Sequence, residues 1–313
     1  MYVIIYYNIT NALFQVGNAN IIGLLLFFVA LKLFSCYNLN MKNWLNNKTV
    51  VITGASGGLG FSLAKTLIEK FSCKVIGIAR NEEKLLKNLE ILGDKKENFT
   101  YKIFDVSIKE NWINFANELE KENVLIDVLI NNAGFMLPFK KAENLSFSEI
   151  DEITKTNFLS VVYSTKTMLP LIKKSKTPAV INIASSASYS AVIGESMYVA
   201  TKFAVRGFTK TLAVENKKVY VAGVCPGFIK TDIFSRVGKT NKKSLIDKVS
   251  MPLEKATKKI VRKLKRKKRS ICTGFDGNSL RIFGTLFPNS FPKTMAKVLK
   301  GAKLDIMQDL FNE

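Results

Sequence analysis

The chain of 313 residues contains no histidine. That absence excludes an imidazole general base, a Ser-His-Asp triad and any metal site built on imidazole. Cysteine is scarce: Cys36, Cys73, Cys225 and Cys272 are the four present, and they form no Cys-x-x-Cys pair. Thiols so spaced predict neither a disulfide framework nor a zinc site and read as free thiols in a reducing compartment. Acidic residues are few beside basic ones, 25 against 47, for a formal net charge of +22. Long apolar runs are confined to residues 1–40, where no charge precedes Lys32 and the densest stretch is 21–31. A spanning helix needs ~20 mostly apolar residues. With Lys32, Lys42 and Lys48 on its C-terminal side, residues 1–40 are expected to anchor the chain to a membrane and leave the remainder cytoplasmic. The alternative is a start at Met41, which makes the whole protein cytoplasmic.

What the chain does have is a regular alternation. Short Val- and Ile-rich runs at 49–52, 74–78, 100–104, 124–130, 179–183, 219–224 and 270–273 predict strands. Amphipathic stretches at 59–71, 82–92, 110–122, 147–173 and 197–215 predict helices between them. Strands of this kind, each followed by a helix, predict a doubly wound α/β Rossmann fold: a parallel sheet of about seven strands with helices on both faces. Residues 41–275 read as the catalytic domain and 276–313 as an amphipathic C-terminal tail. Within the domain, 255–269 hold ten basic residues and no acidic one. This segment reads as a solvated basic helix face, an attachment to anionic lipid headgroups, or a dock for an acidic carrier protein. No interleaving of aromatic and basic residues marks a nucleic-acid surface.

The first strand runs into Thr53-Gly54-Ala55-Ser56-Gly57-Gly58-Leu59-Gly60. A glycine turn that follows a strand and opens a helix is a phosphate cradle, because the backbone approaches the pyrophosphate and the helix start offers free N–H groups. At the end of the second strand stands Arg80, with no carboxylate before Glu82. An arginine there suits a 2′-phosphate, so NADP(H) is favoured over NAD(H). Further on, Tyr198 and Lys202 are spaced i, i+4 on one helix face, with Ser185 thirteen residues upstream of the tyrosine. In so lysine-rich a chain that pair alone is weak evidence; its order behind the glycine turn gives it weight. A neighbouring ammonium is expected to pull the phenol below its ordinary value of ~10. Tyr198 then serves as general acid–base, with Ser185 bonding the developing oxyanion.

These residues, together with Asp105-Val106, Asn131-Asn132-Ala133-Gly134, Asn157, and Pro226-Gly227 with Thr231, resemble the short-chain dehydrogenase/reductase family in its simple single-domain branch, from about Lys48 to Asp232. The resemblance implies that Gly54, Gly58 and Gly60 cradle the pyrophosphate, with Ser56 and Leu59 in the same turn. It places Asp105 and Val106 at the adenine, and Asn132, Ala133 and Gly134 at the cofactor ribose. Asn157 is implied to bind a water of the proton relay, and Lys202 the nicotinamide ribose. Pro226, Gly227 and Thr231 are implied to seat the nicotinamide. A homodimer or homotetramer paired through 147–173 and 197–215 follows by the same analogy.

Apolar segments at 135–139, 189–197 and 228–249 are expected to close the pocket, through Phe135, Met136, Phe139, Val192, Ile193, Met197, Phe228 and Phe234. They suit a lipophilic carbonyl or alcohol. Two other readings stay open: a reductase of 3-oxoacyl groups on a carrier protein, and a non-catalytic NADP-binding membrane scaffold.

Overall fold

Alternation along each strand divides the core. In β1 (Thr49–Thr53) Val50 and Ile52 face one layer and Val51 the other. The same split recurs in β2 (Lys74–Ala79), β4 (Val128–Asn131), β5 (Ala179–Ile183) and β6 (Tyr220–Pro226). A strand apolar on both sides must be covered on both sides. Helices α1 (Gly58–Phe71), α2 (Glu82–Leu89) and α7 (Leu253–Lys265) cover one face. Helices α3 (Lys109–Lys121), α5 (Ser160–Ile172) and α6 (Ser196–Glu215) cover the other. Of the basic segment, Ala256, Ile260, Val261 and Leu264 are buried, while Lys255, Lys258, Arg262 and Lys265 stay in solvent.

With β3 (Phe99–Ile103) and β7 (Ser270–Thr273), the order is β3-β2-β1-β4-β5-β6-β7. Every pairing is parallel. The expected seven-stranded, doubly wound sheet is therefore present. Strand order reverses between β1 and β4, and a crevice forms at such a switch point.

This computed structural model describes residues 43–231, 233, 250–302, 307, 310 and 311. The expected anchor at 1–40, the alternative start Met41, Asp232, Phe234 and most of 228–249 lie outside them. Among the described residues no helix is long and apolar enough to cross a membrane.

Two local departures from the sequence reading bear on the site. The helix expected over 147–173 is α4 (Phe147–Thr154) and α5, joined by a π-helical turn over Lys155–Leu159 that contains Asn157. The residues from Phe275 onward form α8 (Phe275–Leu286) and α9 (Ser290–Gly301), and Leu280, Met295 and Leu299 reach the crevice.

A buried polar network ties the sheet to the helices that carry the site. Asn131 Nδ2 donates to Asn182 Oδ1 at 2.9 Å, and Ser164 Oγ donates to Asn131 Oδ1 at 2.7 Å. Asn182 Nδ2 donates in turn to Thr209 Oγ1 of α6 at 2.9 Å. Asn131, Asn182, Ser164 and Thr209 are all buried. Asn131→Ala removes the donor to the buried Asn182 carbonyl and leaves the Ser164 hydroxyl only the Val161 carbonyl at 3.1 Å, and is expected to cost ~2 kcal/mol. Chemical denaturation checks this: the midpoint should fall with the slope unchanged.

Candidate active site

The crevice at the switch point is a cleft of about 470 Å³. One end is made by the glycine turn. A Cβ on Gly60 would collide with the Gly54 carbonyl and lie 2.6 Å from Asn132 Nδ2, so only glycine lets the helix start this close to the strand. Asn132 locks the same corner, donating from Nδ2 to the Thr53 carbonyl at 2.9 Å. Thr53 Oγ1 accepts the backbone N–H of both Asn132 and Ala133, at 2.8 and 2.9 Å. The start of α1 has no side-chain cap and no acidic residue in its first turn, which leaves N–H groups directed at the cleft.

Gly54, Ser56, Gly58 and Leu59 line this end, and Val106 lines the same wall. Arg80, Asn81 and Lys84 form its rim. Asp105 stands behind the wall and pairs with Arg80, Oδ2 to Nη1 at 3.6 Å. Burial raises the Asp105 carboxyl, but hydrogen bonds from Ser107 and the Arg80 charge outweigh it and the net shift is downward.

The other end gathers Ser185, Tyr198 and Lys202. Ser185 follows β5 in extended conformation, and its Oγ accepts the Ala187 N–H at 3.1 Å. Its hydroxyl is near enough to the Tyr198 phenol to favour the phenolate. Tyr198 and Lys202 lie one turn apart on α6, both buried. Lys202 Nζ donates to the Ile183 carbonyl at 3.3 Å and sits 5.6 Å from the centroid of the Tyr198 ring.

Asn157 is fully buried behind the wall. Its Oδ1 accepts the Phe135 N–H and its Nδ2 donates to the Phe135 carbonyl, each at 2.9 Å. A Cβ on Gly134 would lie 3.0 Å from Asn157 Oδ1 and 3.3 Å from Lys202 Nζ. Gly134, Asn157 and Lys202 therefore meet at one point, where the π turn bends the helix inward.

The electrostatics differ from the sequence expectation. Tyr198 is pushed up to about 12, not down: burial outweighs the Ser185 hydrogen bond, and the Glu195 charge adds to the rise. Burial also draws Lys202 down to about 8. Both groups have lost water, so each disfavours its charged form, and the ammonium's proximity does not compensate the phenol for that loss.

Pro226, Gly227 and Thr231 line the cleft beyond β6. The loop there is held by Asp276, whose Oδ2 accepts the Phe228 N–H at 2.5 Å. Phe135, Met136, Phe139, Val192 and Phe228 line the apolar wall as expected. Ile193 and Met197 pack behind it, against the cluster that holds Phe135 and Tyr198. Asp276, Leu280, Met295, Leu299 and Met307 were not read as part of the site. They come from a tail whose glycines, Gly277, Gly284 and Gly301, fall in no motif spacing that would mark it. Asn81, Lys84 and Glu195 were also not singled out, and Thr53 entered only as the first residue of the glycine turn; its contact with Asn132 across the switch point gives its role.

A family model described as short chain dehydrogenase matches residues 48–242. The chain is 33% identical over 211 residues to a 3-oxoacyl-acyl-carrier-protein reductase of Rickettsia bellii, covering 66% of this chain and 82% of the relative. It is 32% identical over 215 residues to an NADP-dependent 3-hydroxy acid dehydrogenase of Schizosaccharomyces pombe, covering 67% and 83%. Among solved structures it is similar to an alcohol dehydrogenase of Thermococcus sibiricus complexed with 5-hydroxy-NADP, with a TM-score of 0.64 and 27% identity over 73% of this chain and 97% of that one. With the seven-stranded sheet and the glycine turn at its switch point, these matches establish that the chain belongs to the short-chain dehydrogenase family and is an NAD(P)-dependent oxidoreductase.

Proposed function

We propose that the protein reduces the carbonyl of a lipophilic small molecule with NADPH, or runs the reverse oxidation, with Tyr198 as acid–base. The observation that carries this reading is the convergence of Ser185, Tyr198 and Lys202 at one end of a cleft whose other end is an uncapped helix start behind a glycine turn. The residues present fit a nicotinamide dinucleotide. The approach of Gly60 to Gly54 leaves no side chain between backbone and pyrophosphate, and α1 brings no acid to repel it. Gly54, Ser56, Gly58 and Leu59 would hold the phosphates, Val106 the adenine wall, and Asn132, Ala133, Gly134 and Lys202 the ribose nearest the chemistry. Pro226, Gly227 and Thr231 would close over that end. When bound, the cofactor supplies or accepts the hydride.

The remaining steps belong to the protein. Ser185 Oγ and the Tyr198 hydroxyl, which line the same end of the cleft, would hold a carbonyl oxygen between them. A phenol that remains protonated through neutral pH is a ready donor, and its proton passes to that oxygen as the carbon is reduced. The Lys202 ammonium, 5.6 Å from the ring centroid, stabilises the phenolate that remains. Asn157 keeps its carbonyl and amide on the Phe135 backbone, and so acts here by positioning the wall beside Lys202.

NADPH is preferred in this reading because Arg80 and Lys84 stand together at the rim, where the 2′-phosphate of the adenosine would lie. The Arg80–Asp105 pair is half exposed and is worth little in water, so a phosphate can take the guanidinium from it. A second reading, reduction of 3-oxoacyl groups on an acidic carrier, is favoured by the relative of that name and by the exposed cationic face of α7.

Tyr198→Phe should lower kcat by about a hundred- to ten-thousand-fold while NADPH binding, read by its fluorescence, stays near wild type. Wild-type turnover in that variant would sink the mechanism. Arg80→Ala should weaken NADPH about tenfold or more and leave NADH almost unchanged, which cofactor titrations check. In the reductive direction kcat/KM should be level below about pH 8 and fall as pH rises through it, because Lys202 gives up its proton there. A pH–rate profile that stays flat to pH 10 would remove Lys202's charge from the mechanism.

A further inference from the structure

We infer that the cleft contains a polar subsite built on Glu195, and that the substrate carries a second hydrogen-bonding oxygen a few carbons from the carbonyl that reacts. This rests on the reading of the cleft as a carbonyl-reductase site and specifies the class of molecule it takes.

Glu195 is 4% exposed and lines the cleft, and its Oε1 has no hydrogen-bond partner among the described residues. The other buried carboxylate among them, Asp127, is satisfied: it accepts the Thr49 N–H at 3.0 Å and the Ser175 hydroxyl. Leaving a buried polar oxygen unpaired costs ~1–3 kcal/mol. The fold gains nothing from that cost. Glu195 stands at the N-cap of α6, but its side chain makes no capping bond. What anchors the turn is its backbone, through Glu195 N–H to the Val192 carbonyl at 3.2 Å and Val199 N–H to the Glu195 carbonyl at 2.8 Å. Any residue would supply those two bonds.

The position argues for a role in recognition. Glu195 precedes Tyr198 by one helical turn, so both side chains rise on the same side of α6, where residues three apart are neighbours. When Glu195 ionises, its charge raises the Tyr198 phenol, which puts the two groups within reach of one ligand. Around it the wall is apolar, with Met136, Phe139 and Val192. A plain hydrocarbon ketone offers nothing to a carboxyl group in such a wall. Burial pushes Glu195 up to about 8, so at neutral pH it is mostly a neutral acid with an O–H to donate. A donor beside the reacting oxygen selects molecules with a second acceptor close to the first, as in 3-oxo esters and thioesters. A few precisely placed polar groups in an apolar pocket are how such sites fix orientation.

The test compares a 3-oxo methyl ester with a methyl ketone of equal chain length. Both are titrated into the NADP⁺-loaded enzyme, where a ketone binds without reacting, and turnover of both with NADPH is measured in parallel. The wild type should bind the 3-oxo ester about tenfold more tightly. Glu195→Leu should erase that preference and keep methyl-ketone binding, with Tm equal to or above wild type; Glu195→Gln, which still donates, should retain it. Equal binding of the two ligands by the wild type, or a preference that survives Glu195→Leu, overturns the subsite. So does a fall in Tm with loss of both ligands in Glu195→Leu, since that marks a structural residue. Preferential binding without turnover of either ligand strikes the assigned reaction and leaves the subsite standing, whereas turnover without preference strikes the subsite alone.

Discussion

The contact on which the cleft depends is the one between Thr53 and the Asn132–Ala133 backbone. β1 and β4 are neighbours in the sheet, but the chain leaves them in opposite directions, because β2 lies to one side and β5 to the other. Nothing in the strand ladders holds the two departing loops together past Thr53 and Asn131. The Thr53 hydroxyl does so by accepting two N–H groups, and Asn132 replies with its amide on the Thr53 carbonyl. A side chain on Gly60 would push this corner apart. The glycine turn and the asparagine turn are thus one structure, though nearly eighty residues separate them in sequence.

From that corner the polar network extends sideways through the sheet. Asn131, next to Asn132, bonds Asn182 of β5, and Asn182 bonds Thr209 of α6, the helix of Tyr198 and Lys202. Ser164 ties Asn131 to α5, the continuation of the π turn around Asn157. The helix bearing Tyr198 and Lys202 and the helix that continues the π turn are therefore indexed to the same pair of strands by directional bonds. Apolar packing alone would tolerate a small slide of either helix; these bonds do not.

The sequence made the sheet legible because strand alternation and glycine spacing are local. It made the Tyr198–Lys202 face legible because four residues are one helical turn. It could not show that the helix over 147–173 is interrupted by a π turn, since no proline or glycine marks Lys155–Leu159; the inward pull comes from Asn157 bonding the Phe135 backbone in another segment. Nor could it reveal that Asp276 steadies the loop at Gly227–Phe228, because the two become neighbours only when β7 pairs with β6. The Tyr198 shift runs opposite to the sequence expectation for a related reason. The pair's charge is visible in sequence, whereas the burial of both members is a property of the closed cleft.

That burial gives the site its character. In water an ammonium beside a phenol would draw it toward ionisation; in this cleft the loss of solvent keeps the phenol protonated and draws Lys202 down only to about 8, which leaves the ammonium in place at neutral pH. On the proposed mechanism, a protonated Tyr198 is the donor, and the phenolate it leaves stands beside a Lys202 drawn down to about 8. Gly134 leaves room for Lys202 Nζ, which donates to the Ile183 carbonyl at 3.3 Å. On that proposal a chain without histidine takes its acid from a phenol, with desolvation to keep the proton in place and a neighbouring lysine to offset the charge left when it is given up.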